Sequence, residues 1–454
     1  DAPSRERASR VAAAQPGVAA AQGRQKTNAR REMVVFAVEG CCHGELDNIY
    51  ASVEQLAAVH GTKIDVLLIC GDFQAVRNEA DLATMACPVK YRDIRTFYKY
   101  YSGELVAPVL TIFVGGNHEA SNHNWELYHG GWVAPNIYFL GYAGVVNVGG
   151  VRIAGSSGIF NGRHYQMGHY EKPPFDDDAV RSAYHVRELE VLRLLQLRQP
   201  VDIFLSHDWP QHVASHGNMQ ALISKKRFLQ DELQSGSLGS PPNERVLSAL
   251  QPSYWFAAHL HVKFAAVVKH AQRATRFLSL DKALPNRDFL QLVQLPGDGS
   301  PPVLKYDAEW LAVLRSTAPL FSVARDRVAL DPASLNAALG RSDFTPTDQE
   351  LQQVAACCGG DLTVPLNFAV TAAPHRTGDR VNTAAPQTGF AESPQTTQFV
   401  QTFGLGLDFR TQHGVTSKRR RVPSSAAEQQ AAAAGLLDPV PPVGADEEID
   451  LGDD

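Results

Sequence analysis

Short apolar runs, each closed by a polar, glycine-rich turn, recur through the first two thirds of this chain. Met33–Val38 is apolar throughout and runs into Glu39-Gly40. A run of that length between turn signals predicts a buried strand. Val66–Ile69, ending in Gly71-Asp72, and Val109–Val114, ending in Gly115-Gly116-Asn117-His118, repeat the pattern. Ile137–Leu140, Val145–Val148, Val151–Ala154 and Ile203–Leu205 are further strand candidates. Between the first two strands, Leu46, Ile49, Tyr50, Val53 and Leu56 recur at helical spacing, which predicts a helix over 46–59. Residues 180–198 predict a helix feeding the Ile203 strand. Strand, polar loop, helix, strand is the rhythm of an α/β layered fold.

The rhythm fades after about residue 300. A second region, Leu304 to Arg410, carries a helix candidate at 307–315 and another starting near Pro394-Gln395-Thr396. Residues 371–392 are rich in Ala, Thr, Pro and Gly and are expected to form a loop or linker. Residues 1–31 and 411–454 have disorder-type composition; a targeting role for the first of these is the alternative reading. The second contains the basic run Lys418-Arg419-Arg420-Arg421 and an acidic end from Asp446 to Asp454.

Composition narrows the function classes. The 454 residues allow roughly two to three domains of ~150 residues. Six cysteines are too few for a disulfide scaffold of this length. No apolar run approaches the ~18–20 residues of a transmembrane helix, so a membrane partner is not expected. Cys41-Cys42 and Cys357-Cys358 are adjacent pairs and Cys70 ends a strand, which reads as free thiols in a reducing compartment. A net charge of -6 does not announce a nucleic-acid binder, so such a role must come from a local surface. The 16 His against only 4 Met direct attention to where the histidines fall.

They fall at strand ends. The successive predicted strands terminate in Cys41-Cys42-His43, Gly71-Asp72, Gly116-Asn117-His118, Ser206-His207-Asp208 and, after Tyr254–Ala258, His259-Leu260-His261. In open α/β sheets the loops beyond the carboxyl ends of the strands form the ligand crevice. Imidazole, thiol, carboxylate and amide on one rim are the donor set of a one- or two-metal centre. A carboxylate such as Asp72 can bridge two cations about 3.5–4 Å apart, and such a pair suits phosphoryl chemistry. His118, directly after Asn117, is the candidate general acid. Asp208 is expected either to orient a ligand His or to cap a turn before Pro210.

This series resembles the metallophosphoesterase signature, and its details resemble the RNA lariat debranching enzymes. The matching stretches are Gly40–Asp47, Gly71–Asn78, Gly116–Asn122, Gly130–Tyr138, Ser206–Pro210, Ala258–Phe264 and Leu280-Asp281-Lys282. They cover residues 33 to about 315, with a weaker match at Pro394-Gln395-Thr396. The resemblance implies a layered α/β/β/α sandwich with two mixed sheets at 32–303, including a lariat recognition loop near 120–145. It also implies a smaller C-terminal domain at 304–410, between disordered tails. It further implies one metal held by Cys41, His43, Asp72 and His261 and a second by Asp72, Asn117, His207 and His259, with His118 protonating the leaving 2′ oxygen. Cys41 stands where a metallophosphoesterase normally has Asp, and a soft thiolate favours Zn²⁺ or Fe²⁺, with Mn²⁺ also considered. A one-metal enzyme using only the second set is the alternative.

Asn122, Gly130, Gly131, Trp132, Asn136 and Tyr138 are the expected RNA contacts, with Trp132 read as an exposed stacking residue. Arg92, Arg95 and Lys99 recur at near-helical spacing among aromatic residues; they read as a solvated helix face, or alternatively as an RNA contact. The expected activity is hydrolysis of the 2′–5′ phosphodiester at the branch of excised intron lariats. The alternatives are another phosphodiester substrate, as in a nuclease or nucleotide phosphodiesterase, or a catalytically inactive scaffold. The expected partners are lariat RNA and spliceosome-associated or intron-turnover proteins. The basic run 418–421 predicts a nuclear address, with shuttling to the cytoplasm an open variant.

Overall fold

The computed structural model describes residues 33–406, so the calls made for 1–31 and 411–454, among them the basic run, lie outside the described residues. The predicted apolar runs form strands, joined by one at Gly131–Ala134 that the sequence reads as part of a loop. They are β1 (Met33–Glu39), β2 (Val66–Ile69), β3 (Leu110–Phe113), β4 (Gly131–Ala134), β5 (Ile137–Phe139), β6 (Ala143–Val148), β7 (Val151–Ser156), β8 (Ile203–Ser206) and β9 (Tyr254–Ala257). Four more follow: β10 (Phe264–Lys269), β11 (Ala274–Ser279), β12 (Leu290–Pro296) and β13 (Leu304–Tyr306). Among the described residues they build two mixed sheets, in the orders β12-β1-β2-β3-β5-β4 and β10-β11-β9-β8-β7-β6-β13.

The layers follow from burial. One apolar cluster joins inward residues of both sheets, such as Phe36, Leu68 and Ile112 with Ile153, Leu205 and Phe256. A second packs the other face of the first sheet against the helix Leu46–His60 and the aromatic turn Phe97–Tyr101. A third packs the second sheet against the helices Glu188–Leu194, Pro241–Leu250, Ala308–Thr317 and Pro394–Phe403. Sheets faced by helices on their outer sides make the expected α/β/β/α sandwich.

Three expectations need adjustment. The helix over 180–198 is two, Asp177–Ser182 and Glu188–Leu194; between them the chain turns to bridge Ile159 at His185 and buries Arg187. Arg92, Arg95 and Lys99 do not share a helix, because Arg95 adopts φ +52°. Their cations turn to the Met85 and Cys87 carbonyls, Glu45 and Asp47. The strands β10–β13 are not among the predicted ones: Phe264–Lys269 alternates buried and exposed, yet Ala265 and Val267 on the open face are apolar too, which hides the period of two. The region after 304 shares its neighbours' core, since β13 pairs antiparallel with β6 and the helix Ala308–Thr317 packs in the third cluster. All six cysteines are free thiols. No helix of the described residues is long and apolar enough to cross a membrane.

Two histidines without a predicted role set an acid limit on stability. Burial pushes His123 down to about 3 and His185 down to about 2. Their folded values lie below the unfolded value, so stability is full above about pH 6.5 and is lost as the pH falls. Each should cost about 2 kcal/mol between pH 7 and pH 5. Urea titrations at the two pH values, with His123→Gln as comparison, check this; equal midpoints at pH 7 and pH 5 would count against it.

Candidate metal centre

The predicted donors converge at one end of the two sheets. Cys41 and His43 follow β1, Asp72 follows β2, Asn117 and His118 follow β3, His207 follows β8, and His259 and His261 follow β9. Donor atoms of Cys41, His43, Asp72 and His261 all lie within 4.8 Å of one another. His43 Nε2 is 3.1 Å from His261 Nε2 and 3.6 Å from Asp72 Oδ2. On the other side of the same carboxylate, His207 Nε2 is 3.3 Å from Asp72 Oδ1 and 3.1 Å from Asn117 Oδ1. The His259 ring lies 5.0 Å from the His207 ring. Asp72 therefore faces both groups of donors, one through each oxygen.

The backbone bends sharply to achieve this. His43, Asp72, His259 and His261 all have left-handed φ, between +45° and +65°. Such conformations cost on the order of 1–3 kcal/mol each and persist where surrounding contacts enforce them. Two of those contacts are the main-chain bonds from His43 N to the Asp72 carbonyl and from Cys42 N to the Gly71 carbonyl. Glycine is required twice for space: a Cβ on Gly71 would overlap the His207 ring, and one on Gly116 would overlap Asp72 and His207.

The electrostatics fit a cation. Burial pushes His43 down to about 4, His259 to about 3 and His261 to about 2, so these imidazoles are neutral and present lone pairs. Burial opposes ionisation of Asp72, but His207, His118 and His43 hold its carboxyl well below the usual range. Burial, then the charges of Asp72 and Glu39, pushes the Cys41 thiol up, a shift that a coordinated cation reverses. Neutral nitrogens around a thiol and an ionised carboxylate match borderline divalent metals, and His207 and Asn117 lie on the far side of the same carboxylate.

His118 is half-buried beside these groups, its ring 5.6 Å from that of His43, and its amide N–H donates to Asp72 Oδ1 at 2.9 Å. Asp208 does not orient the ring of His207. His207 Nδ1 bonds the Cys70 carbonyl at 2.9 Å, while the Asp208 carboxylate accepts from Phe160 N. Cys42 is buried beneath the site in the apolar cluster of the first sheet.

Most of the expected RNA contacts are buried and taken up by bonds within the fold. Gly131, Trp132 and Tyr138 belong to the hairpin β4–β5 and are buried, with Trp132 only 4% exposed. Trp132 stacks edge-on against Tyr138, and its indole N–H donates to the Pro365 carbonyl. The physical reason is the sheet edge. β4 has no strand neighbour on its outer side, and Gln395 takes that place, accepting from Trp132 N and donating to Trp132 O, each at 2.8 Å. Gly130 leads into this hairpin with φ +91°, and Asn136 makes its turn with φ +66° and bonds Ala107 O. Asn122 is buried, holding Asp81 and Thr84.

Three residues that motif reading passed over sit against the donors. Glu119 accepts main-chain bonds from Phe73, Gln74 and Gly116. Gln74 Nε2 lies 3.2 Å from His43 Nδ1. Lys282 is buried where it bridges Cys41 in parallel register. All three lie in stretches already singled out, but only the fold brings them together.

Residues 34–263 match the family model described as calcineurin-like phosphoesterase, and residues 272–407 match that described as lariat debranching enzyme, C-terminal domain. The chain is 51% identical over 377 residues to lariat debranching enzyme A of Xenopus laevis, spanning 82% of this chain and 70% of that protein. It is 50% identical over 381 residues to the lariat debranching enzyme of Homo sapiens, spanning 81% and 69%. With that of Arabidopsis thaliana it shares 44% over 392 residues, spanning 86% and 90%.

Proposed function

The chain belongs to the lariat debranching enzymes, with the calcineurin-like phosphoesterase fold, and we propose on that premise that it hydrolyses the 2′–5′ phosphodiester at the branch point of intron lariat RNA. The observation that carries this reading is the meeting of seven metal-capable residues from five strand ends around Asp72.

In this reading Cys41, His43, Asp72 and His261 would hold one divalent cation, and Asp72, Asn117, His207 and His259 would hold a second. A cation bound there supplies Lewis-acid polarisation of the phosphoryl oxygens. Zn²⁺, Fe²⁺ and Mn²⁺ are the candidates, with the Cys41 thiolate favouring the first two. The chain's own residues position and protonate. Burial of Asp72 and His207 keeps their charge interactions strong by excluding water. The bond from His118 N to Asp72 holds the His118 main chain against the donors while its ring keeps access to solvent. His118 is the proposed proton donor to the departing 2′ oxygen. Water attacks the phosphorus and releases a proton to solvent, the bond from phosphorus to O2′ breaks, and the His118 proton goes to O2′, after which His118 takes a proton back from solvent. The products are a 5′ phosphate and a free 2′ hydroxyl.

The test compares a branched 2′–5′ RNA with a linear 3′–5′ RNA of the same sequence, with the metal supplied and after chelation. Cleavage of the branch at least about tenfold faster than the linear strand, abolished by chelator, is the expected result. Equal rates on the two RNAs would overturn the proposal, as would full activity in chelator.

A further inference from the structure

Glu119 is 2% exposed, and its carboxylate accepts from three main-chain amides. Oε1 accepts from Phe73 N and Gly116 N, both at 2.8 Å, and Oε2 accepts from Gln74 N at 3.0 Å. Phe73 and Gln74 directly follow Asp72, and Gly116 directly precedes Asn117. One carboxylate therefore joins the loop after β2 to the loop after β3, each immediately beside a candidate ligand. Gln74 then extends the connection to the loop after β1. Its backbone is held by Glu119 in a left-handed conformation, φ +60°, and its side-chain amide reaches His43 Nδ1.

The chemistry of that last contact has a direction. For His43 Nε2 to offer its lone pair to a cation, Nδ1 must carry the proton and must donate it. The amide nitrogen of Gln74 cannot accept, but rotating the amide by half a turn places Oε1 there, and the two assignments are interchangeable in shape. We propose that Glu119 and Gln74 are positioning residues, which together set the relative placement of His43, Asp72 and Asn117 and so the affinity of the site for a divalent cation. The inference rests on the metal-dependent reading above.

The test measures Zn²⁺ affinity of the full chain by competition with a chromophoric chelator, alongside thermal midpoints. In Glu119→Gln, one side-chain oxygen and an NH₂ group replace the three-amide acceptor, and Zn²⁺ affinity should fall by about 10–100-fold. In Gln74→Leu, which leaves Nδ1 without a partner, the fall should be similar. Gln74→Glu keeps an acceptor for Nδ1–H and should hold affinity within about threefold of wild type, which a purely structural role for residue 74 does not predict. With Co²⁺ as probe, the thiolate-to-metal absorption band should shift in Gln74→Leu and persist in Gln74→Glu. Wild-type affinity in both Glu119→Gln and Gln74→Leu would overturn the proposal, as would equal losses in Gln74→Leu and Gln74→Glu. If Glu119→Gln fails to fold, the Gln74 pair decides. A wild-type chain that binds no Zn²⁺ or Co²⁺ would instead sink the metal-dependent reading itself.

Discussion

Asp72→Asn should lower the debranching rate by roughly two to three orders of magnitude or more, with the fold intact. The substitution is nearly isosteric, and the position is 1% exposed, so packing is preserved while the charge is lost. That charge faces both donor groups: Oδ2 lies 3.6 Å from His43 Nε2, and Oδ1 lies 3.3 Å from His207 Nε2 and accepts from His118 N. An amide offers one oxygen where the site uses two. Lewis-acid stabilisation of this kind is worth several kcal/mol, and each ~1.4 kcal/mol is tenfold in rate. The check is single-turnover cleavage of branched RNA at saturating enzyme, with circular dichroism to confirm folding and metal analysis to count bound ions. A folded Asp72→Asn protein that keeps a tenth of wild-type activity would remove Asp72 from the centre of the site.

Arg77→Met should destabilise the protein by about 3–5 kcal/mol while leaving the donor residues untouched. Arg77 is 1% exposed and donates to both oxygens of Asp81, to both oxygens of Glu126 and to Thr371 Oγ1, at 2.7–3.0 Å. Asp81 and Glu126 are themselves buried, so removing the guanidinium leaves two carboxyl groups without their cation. Breaking a buried ion network from one side is among the most costly single changes, because the charge left behind has no water. A drop in thermal midpoint of roughly 4–6 °C is expected for a folded body of this size. The pH dependence carries a sign. Burial already raises Glu126 with Arg77 in place, and Glu126 rises further without it, while Asp81, held low by Arg77, rises above its unfolded value once the guanidinium is gone. Stability is then retained below about pH 4 and lost as the pH rises, so the defect should be larger at pH 8 than at pH 5. Adding Asp81→Asn and Glu126→Gln should recover part of the loss. A thermal midpoint unchanged from wild type would show that the network contributes nothing net.

The same network explains a feature that the composition of residues 371–392 conceals. The segment reads as a linker, and it has no helix or strand, yet Thr371 and Ala372 bond Tyr101 and Arg77, Ala373 bonds Asn78, and His375 pairs with Glu79. These hydrogen bonds go to residues about 270–300 positions earlier in the sequence, and no local pattern records such partners. The Gly130–Tyr138 segment misled for the same reason. Two glycines and a tryptophan in a polar-looking loop are also what an edge hairpin needs when a distant glutamine, Gln395, completes its hydrogen bonds.

The apolar runs were sufficient for an α/β layered fold, and the resemblance added the order of its layers and the sorting of the candidate donors into two sets. Buried strands announce themselves as apolar runs, and the residue after such a run must leave the sheet at its carboxyl end. Cys41, His43, Asp72, Asn117, His207, His259 and His261 could therefore be placed on one rim without coordinates. What only the tertiary structure decided is how that rim is held and what does not belong to it. Asp72 lies between the two donor groups because left-handed turns bend each loop inward. Glu119 and Gln74 brace those turns, His207 is oriented by a carbonyl rather than by Asp208, and Trp132 lies beneath the C-terminal segment. These are contacts between residues distant in sequence, made largely through main-chain groups that every residue carries, so no spacing or composition in the sequence encodes them.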